Sequence, residues 1–597
     1  MDQHFADAPY RDTAVPTDER VSDLLSRMTV EEKAGLMFHQ MLFIGPGGDL
    51  AGAIPAADKV STQDMVTGQL INHFNVMGGK EPSVMAAWHN RVQNLARSTR
   101  LGIPVTLSTD PRHAFTDNPG ASFSSGYFSS WPETLGLAAI GDESVTEKFG
   151  DIARQEYLAV GLRVGLHPQI DLATEPRWSR INGTFGEDAD LTSRMAVAYV
   201  RGFQGERLGP QSVSTMVKHF PGGGPQKDGE DPHFSYGREQ VYPGNNFDYH
   251  LKPFEAVFAA GITQIMPYYG MPVGTEHEQV GFAFNKSVIT DLLRTRFGFD
   301  GIVCADWGLL TDAKIMGETH VHRAWGLEHL SREELILKAL EAGVDQFGGE
   351  SCPEVIVDLI RDGRLSEARI DISASRLLRE KFILGLFDNP FVDPAAAPHH
   401  VARPEFIAAG EDAQRASFTV LTNQPLNQAE TGRPALPVAA GSKLFLRGVD
   451  STVAADYGTV VDRPEDADIA IIRVKAPYQP RPGQTRFEDF FHAGSLAYDP
   501  DTLNDILQLC AQVPTVVDIY LDRPAVIPEI AGAAAALLAD YGASDQALLD
   551  VVFGGAAPRG RLPFDLPSSM AAVQNSHPDV PFDTDHPLFR FGHGLTV

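Results

Sequence analysis

Between residues 36 and 347, short apolar runs alternate with long amphipathic stretches, and this rhythm constrains the fold more than any other feature. The runs lie at 36–40, 74–78, 104–109, 163–167, 214–220, 262–268, 301–305 and 343–347, and each reads as a strand. The stretches between them show helical spacing in places, as in Val145, Phe149, Ile152 and Ala153, and again in Val288, Leu292 and Leu293. Strand, helix, strand in series means parallel β/α architecture. About eight such strands is the number that closes a (β/α)8 barrel of the TIM type. A doubly wound sheet is the alternative, but polar residues just after many of the strands favour the barrel. Ahead of them, Val21, Leu24, Leu25 and Met28 mark one face of a helix, and Thr29 with Glu32 has the spacing of a capping box.

A chain of 597 residues is too long for one hydrophobic core. The barrel pattern is expected over residues 1–387, a proline-rich linker over 388–416, and a smaller α/β sandwich domain over 417–597. Strands in that second domain are expected at 443–447, 467–474, 514–521 and 535–539. Leu503, Ile506, Leu507 and Cys510 mark one of its helices, and Leu548, Leu549 and Val552 another.

Composition narrows the partners. A formal net charge of -29 argues against nucleic acid, because phosphate binding needs a basic surface. The three cysteines, Cys304, Cys352 and Cys510, form no CxxC pair, so zinc and redox motifs have no support. No metal and no cofactor is expected. The opening residues, Met1-Asp2-Gln3-His4-Phe5, carry neither a basic n-region nor an apolar h-region. No run reaches the length of a membrane span. A cytoplasmic protein, with no membrane partner, is the expectation. Nothing in the sequence sets the oligomeric state, and a homodimer is carried as the expectation.

In a β/α barrel the site lies at the C-terminal ends of the strands. Polar residues that stand there include Asp110, Arg177, Arg180, Lys218, His219, Tyr268, Tyr269, Asp306 and Trp307. The set holds acids, bases and aromatics but neither a metal cluster nor a phosphate loop. That mixture suits a sugar, whose hydroxyls need hydrogen-bonding groups and whose C–H faces need aromatic rings. Each residue also has a plain structural reading: an Asp after a strand is often a turn residue or helix cap, and Arg180 or the Lys218-His219 pair can serve in ion pairs.

Several stretches together resemble glycoside hydrolase family 3. They are Asp171-Leu172-Ala173-Thr174-Glu175-Pro176-Arg177-Trp178-Ser179-Arg180, Lys218-His219-Phe220-Pro221-Gly222, Val303-Cys304-Ala305-Asp306-Trp307 and Leu386-Phe387-Asp388-Asn389-Pro390. In the second domain Gly560-Arg561-Leu562-Pro563-Phe564 and Phe589-Arg590-Phe591-Gly592-His593-Gly594-Leu595 belong to the same pattern. The resemblance implies a barrel followed by an α/β sandwich, with the active site between them. It implies Asp306 as nucleophile, and Asp110, Arg180, Lys218 and His219 as holders of the sugar hydroxyls at the nonreducing end. Tyr269 matches a tyrosine near the nucleophile, and Trp307 an aromatic beside the next sugar or aglycone.

A retaining mechanism needs a second carboxyl group roughly 5–5.5 Å from the nucleophile. The family takes it from the second domain, near a Pro-Tyr motif. Here Ala476-Pro477-Tyr478 runs into Gln479 and Pro480, and the nearest acids are Glu488 and Asp489. Glu488, among three phenylalanines, is the candidate acid/base. The family's β-N-acetylglucosaminidases use instead a His held by an Asp, which Asp231-Pro232-His233 resembles, but a glycine replaces that loop's usual second histidine and the full second domain is present, so Asp231 and His233 are expected to shape the pocket wall.

The expected function is an exo-acting, retaining β-glucosidase that releases terminal β-D-glucose from a small glycoside. β-Xylosidase, β-N-acetylglucosaminidase, a β-glycoside phosphorylase and a non-catalytic sugar binder are the alternatives. Phe234, Tyr236, Phe487, Phe490 and Phe491 are expected to frame the outer subsite and to favour bulky phenolic or terpenoid aglycones.

Overall fold

The computed structural model describes residues 7–53, 60–118, 120–426 and 432–597. The first five residues, read above for a leader, lie outside the described part. All eight expected strands form and close into one parallel barrel. In chain order they are Phe38–Phe43, His73–Met77, Thr106–Thr109, Leu162–Gly165, Ser214–Phe220, Gln264–Pro267, Ile302–Ala305 and Gln346–Gly348. Neighbours in sequence are neighbours in the barrel, and the first strand meets the eighth with Phe38 opposite Phe347. From the third strand to the eighth every residue is buried, because helices cover the outside and side chains fill the inside.

The covering helices start and stop where local chemistry dictates. Thr29 caps Val30–Leu36 by accepting the Glu32 N–H at 3.3 Å, while Glu32 accepts the Thr29 N–H at 2.9 Å, the reciprocal pair that satisfies two otherwise orphaned donors. Helix Glu143–Val160 buries Phe149, Ile152 and Ala153 and ends at Gly161, whose φ of 86° turns the chain directly into the fourth strand. A side chain there is also excluded by space, since its Cβ would stand 2.3 Å from the His89 ring. The helix expected from Val288, Leu292 and Leu293 is wound as a π-helix over Ser287–Arg296, and those three residues stay buried.

The second domain is a six-stranded sheet. Its four central strands, Lys443–Arg447, Ile469–Lys475, Thr515–Tyr520 and Ala536–Asp540, are parallel and match the expected ones. Two edge strands escaped the sequence reading. Thr419–Asn423 pairs antiparallel with Ala536–Asp540, and Thr459–Val460 has only two residues. The segment read as linker contains helix Pro404–Ser417, begun by a proline at the position where a missing N–H leaves no bond unmade. Its earlier part is strapped to the barrel by Arg20 on Asp388 at 2.7 Å and Asn90 on the Val392 carbonyl at 2.8 Å. Loops of the second domain reach the barrel mouth, where Asn118 donates to the Phe490 carbonyl at 3.0 Å and Arg523 to the Arg177 carbonyl at 2.9 Å.

Candidate active site

Asp110, Arg180, Lys218, His219, Tyr269, Asp306 and Trp307 line one cavity of about 530 Å³ at the C-terminal mouth of the barrel. Asp306 ends the seventh strand and is buried. Its Oδ1 lies 2.7 Å from the Tyr269 hydroxyl and accepts the Trp307 N–H at 2.7 Å. Both bonds fall on one oxygen, so the carboxylate is fixed while Oδ2 faces His219 Nε2 at 3.9 Å. Burial and the adjacent carboxylate push the Tyr269 phenol well above its ordinary range, which keeps it a proton donor to Asp306. The Trp307 ring fits because Gly348 and Gly349 lie beneath it: a Cβ on either would come within 2.6 and 2.7 Å of the indole.

The polar residues of the cavity are bonded to one another. Lys218 Nζ donates to Asp110 Oδ1 at 3.2 Å, and Asn75 donates to Asp110 Oδ2 at 3.0 Å. Burial lowers the Lys218 ammonium, Asp110 pulls it back up, and the nearby Arg180 charge adds to the lowering. His219 is held between two partners, with Nδ1 2.8 Å from Asp171 and Nε2 3.1 Å from an Arg180 N–H. Burial, with the Arg180 charge, keeps that imidazole well below its usual pKa and therefore neutral. A neutral ring donating from Nδ1 to Asp171 and accepting at Nε2 from Arg180 satisfies both contacts.

Asp171 is the residue the sequence reading quoted in a motif but assigned no role. It also accepts the His219 N–H at 3.2 Å and the Gly223 N–H. Burial raises its carboxyl to about 6, against these donors and Arg180. The glycines of 222–224 are required by space. A Cβ on Gly223 would stand 2.7 Å from the Tyr268 ring, and one on Gly224 would overlap the Leu172 carbonyl. Gly223 is thus a place where no side chain fits.

Beyond this loop, His233 reaches the cavity. Its Nδ1 lies 2.6 Å from Asp231 Oδ1, and its ring packs against Tyr269 and Phe491 with centroids 4.7 Å away in each case. The loop is pinned by the Trp325 indole on the Pro232 carbonyl at 2.9 Å and by Arg323 on the His233 carbonyl at 3.1 Å. Burial alone would raise the Asp231 carboxyl, but His233 and Arg180 overturn it and hold it at about 2. Burial lowers the His233 imidazole below 6.5, assisted by Arg323 and Arg180 and opposed by Asp231. Arg323 had no signal in the sequence, because nothing in its neighbourhood is periodic.

Glu488 departs from its expected place. It does not line the cavity. One carboxylate oxygen accepts the Tyr236 hydroxyl at 2.7 Å and the other the Thr485 N–H at 2.6 Å. Burial would raise its carboxyl, but the Thr485 and Tyr236 bonds outweigh it and lower the pKa, the reverse of what a proton donor requires. Asp489 is exposed and also outside the cavity. The aromatic frame is corrected too. Phe234, Phe487 and Phe491 pack into their own buried cluster with Phe490 against it, and only Phe487 lines the cavity. Met41, Phe43, Met77, Ile315 and Met316 line the cavity with it. Among the described residues no group of three or more His, Cys, Asp or Glu is arranged to hold a metal.

The glycosyl hydrolase family 3 N-terminal domain model matches residues 30–380, and the C-terminal domain model of the same family matches residues 273–597. The chain is 53% identical to the probable beta-glucosidase C of Aspergillus flavus, over 98% of this chain and 92% of that one. It is 43% identical to a periplasmic beta-glucosidase/beta-xylosidase of Dickeya chrysanthemi, over 98% and 91% of the two chains. Among solved structures, a β-glucosidase from Erythrobacter marinus superposes with a TM-score of 0.79 at 21% identity, covering 99% of this chain and 84% of that one. A β-glucosidase from Listeria innocua, solved with isofagomine, gives 0.74 at 20% identity over 97% and 83%.

Proposed function

The chain belongs to glycosyl hydrolase family 3 and is a glycoside hydrolase, and from that premise we propose that it is an exo-acting, retaining β-glucosidase. One observation carries the mechanism. Asp306 is fixed through Oδ1 by Tyr269 and by its own neighbour's N–H, which leaves Oδ2 for the substrate at the end of a polar pocket. In the first step Oδ2 bonds to the anomeric carbon, the glycosidic C–O bond breaks, and a proton passes to the departing oxygen. In the second, water attacks the same carbon, loses a proton to the enzyme and frees Asp306, so the anomeric configuration is retained.

The proton is assigned to His233. Its Nδ1 is committed to Asp231, an ionised partner that stabilises the imidazolium, and its ring stands in the cavity wall beside Tyr269. Exo action is supported by the bonded group of Lys218, Asp110 and Asn75 in the cavity wall, which would stop the chain after one sugar. Glucose as the sugar is supported by relatives named β-glucosidase at 53% identity. The Dickeya relative's double name supports β-xylosidase as the second reading. Met41, Phe43, Met77, Ile315 and Met316, which line the cavity, favour an apolar aglycone.

The test is a 2-deoxy-2-fluoroglucoside with a good leaving group. It is expected to inactivate the enzyme and to label the peptide that contains Asp306. Release of α-glucose from a β-glucoside, or a label on another residue, would overturn the assignment.

A further inference from the structure

A second cavity, of about 590 Å³, lies between the two domains, and it shares no lining residue with the first. Its floor is the C-terminal edge of the second domain's sheet. Arg473, Tyr520 and Asp540 stand at the ends of three adjacent parallel strands, and Gly448 follows the fourth. That edge is where open parallel sheets bind ligands. The barrel closes the opposite side with Phe115–Asn118, Ser179 and Asn182, and the volume falls in the range of about 300–1,000 Å³ typical of small-molecule sites.

The chemistry of the walls selects the occupant. Asp117, Asp489, Asp522 and Asp540 outnumber Arg473 and Lys475. Arg473 is already spent on Asp518 at 2.8 Å and on Asp540 and Asp545 at 2.7 Å each. A phosphate or carboxylate therefore meets net negative charge with the Arg473 guanidinium already occupied. The remaining polar groups are hydroxyls and amides, together with the His492 imidazole. Thr116 Oγ1 lies 3.1 Å from the Tyr520 hydroxyl and 3.2 Å from Asn182 Nδ2, so one hydrogen-bonded wall spans both domains. Asp522 holds His492 through Oδ2, while its buried Oδ1 has no hydrogen-bond partner among the described residues. Phe115, 40% exposed, and Phe490 supply apolar faces.

We propose that this cavity is a second saccharide site, distinct from the hydrolytic one, that takes a neutral sugar of one or two rings. Asp522, on the cavity wall, accepts one sugar hydroxyl, the Asn182–Thr116–Tyr520 wall meets others, and Phe115 covers a C–H face of the ring. The two sites share their partition. Asn118 and Phe490 face the second cavity and are bonded to each other, while Gly120 and Phe487, on the same two loops, face the first. The choice of a sugar as ligand rests on the glycosidase reading of the first cavity, so the experiment separates the two.

Calorimetry on the full chain is run in two stages. Isofagomine is titrated first, and it must bind and abolish hydrolysis of nitrophenyl glucoside; failure there overturns the glycosidase reading. Cellobiose is then titrated into the isofagomine-saturated enzyme. Saturable binding at one further site is expected. Asp522→Ala and Asn182→Ala are expected each to weaken it, roughly tenfold or more for the carboxylate, with nitrophenyl glucoside turnover unchanged as proof of folding. No binding to the saturated enzyme, binding indifferent to both substitutions, or tighter binding of glucose 6-phosphate than of cellobiose would overturn the second site.

Discussion

Replacing His233 by alanine should cost most where the leaving group most needs a proton. General acid catalysis contributes roughly 10²–10⁴-fold, and nitrophenolate leaves without help. For His233→Ala we expect kcat/KM on cellobiose to fall by about that factor while kcat/KM on nitrophenyl glucoside changes only a few-fold. The second step also loses its base, so kcat on nitrophenyl glucoside should fall as glycosyl-enzyme accumulates. Azide, which attacks without a base, should restore kcat and yield β-glucosyl azide. The pH profile carries the sign. The first step requires the imidazolium, and the His233 pKa lies below 6.5, so kcat/KM should decline as pH rises through a value below that of free imidazole. Asp231 stands 2.6 Å from Nδ1 and raises that pKa. A hydrogen bond to a charged group is worth about 1.5–3 kcal/mol, so Asp231→Asn should move the declining limb to lower pH by roughly one to two units. Glu488→Ala should leave both substrates within a few-fold of wild type. If Glu488→Ala shows the leaving-group dependence and azide rescue while His233→Ala loses both substrates equally, the assignment fails.

Other perturbations probe the same geometry. Tyr269→Phe removes the hydroxyl 2.7 Å from Asp306 Oδ1 and should lower kcat by roughly ten- to a hundredfold with a smaller change in KM, read by steady-state kinetics. Gly223→Ala places a Cβ 2.7 Å from Tyr268 and 3.0 Å from Asp171, so it should disturb the Asp171–His219 pair and raise KM, whereas Gly532→Ala, on the exposed face of helix Pro528–Ala533 with open space around it, should leave KM unchanged. Glu133 is buried at the seam between the domains, with burial raising its carboxyl to about 7. Its folded state binds a proton more tightly than the unfolded chain, so stability should fall as pH rises from about 4.5 to 7, by roughly 3 kcal/mol from this group. Glu133→Gln keeps the acceptor for the Thr116 N–H, so it should melt like wild type at pH 5 and at higher temperature at pH 8; equal melting shifts at both pH values would refute this.

What the sequence disclosed and what it hid divide along a physical line. The barrel strands are legible because burial on both faces forces a continuous apolar run, and Asp110, Lys218 and Asp306 are legible because each ends such a run. Thr29 and Glu32 are legible because a cap is a local bond between residues three apart. Glu488 was misplaced for the opposite reason. Its three neighbouring phenylalanines suggest a desolvated carboxyl, but the rings bury themselves against Phe234, and the carboxylate turns to a tyrosine 252 residues away. His233 presents the converse case. Its Asp231 partner is two residues off and easily seen, yet its place in the cavity depends on Trp325 and Arg323, about ninety residues downstream. A strand end fixes a side chain by the strand's own periodicity, whereas a loop residue is fixed by whatever distant partners it finds. An acid/base carried on a loop therefore has to be assigned by asking which candidate still lines the cavity after its other bonds are made, and in this chain His233 does so with Nδ1 bonded to Asp231, whereas both Glu488 oxygens are taken outside it.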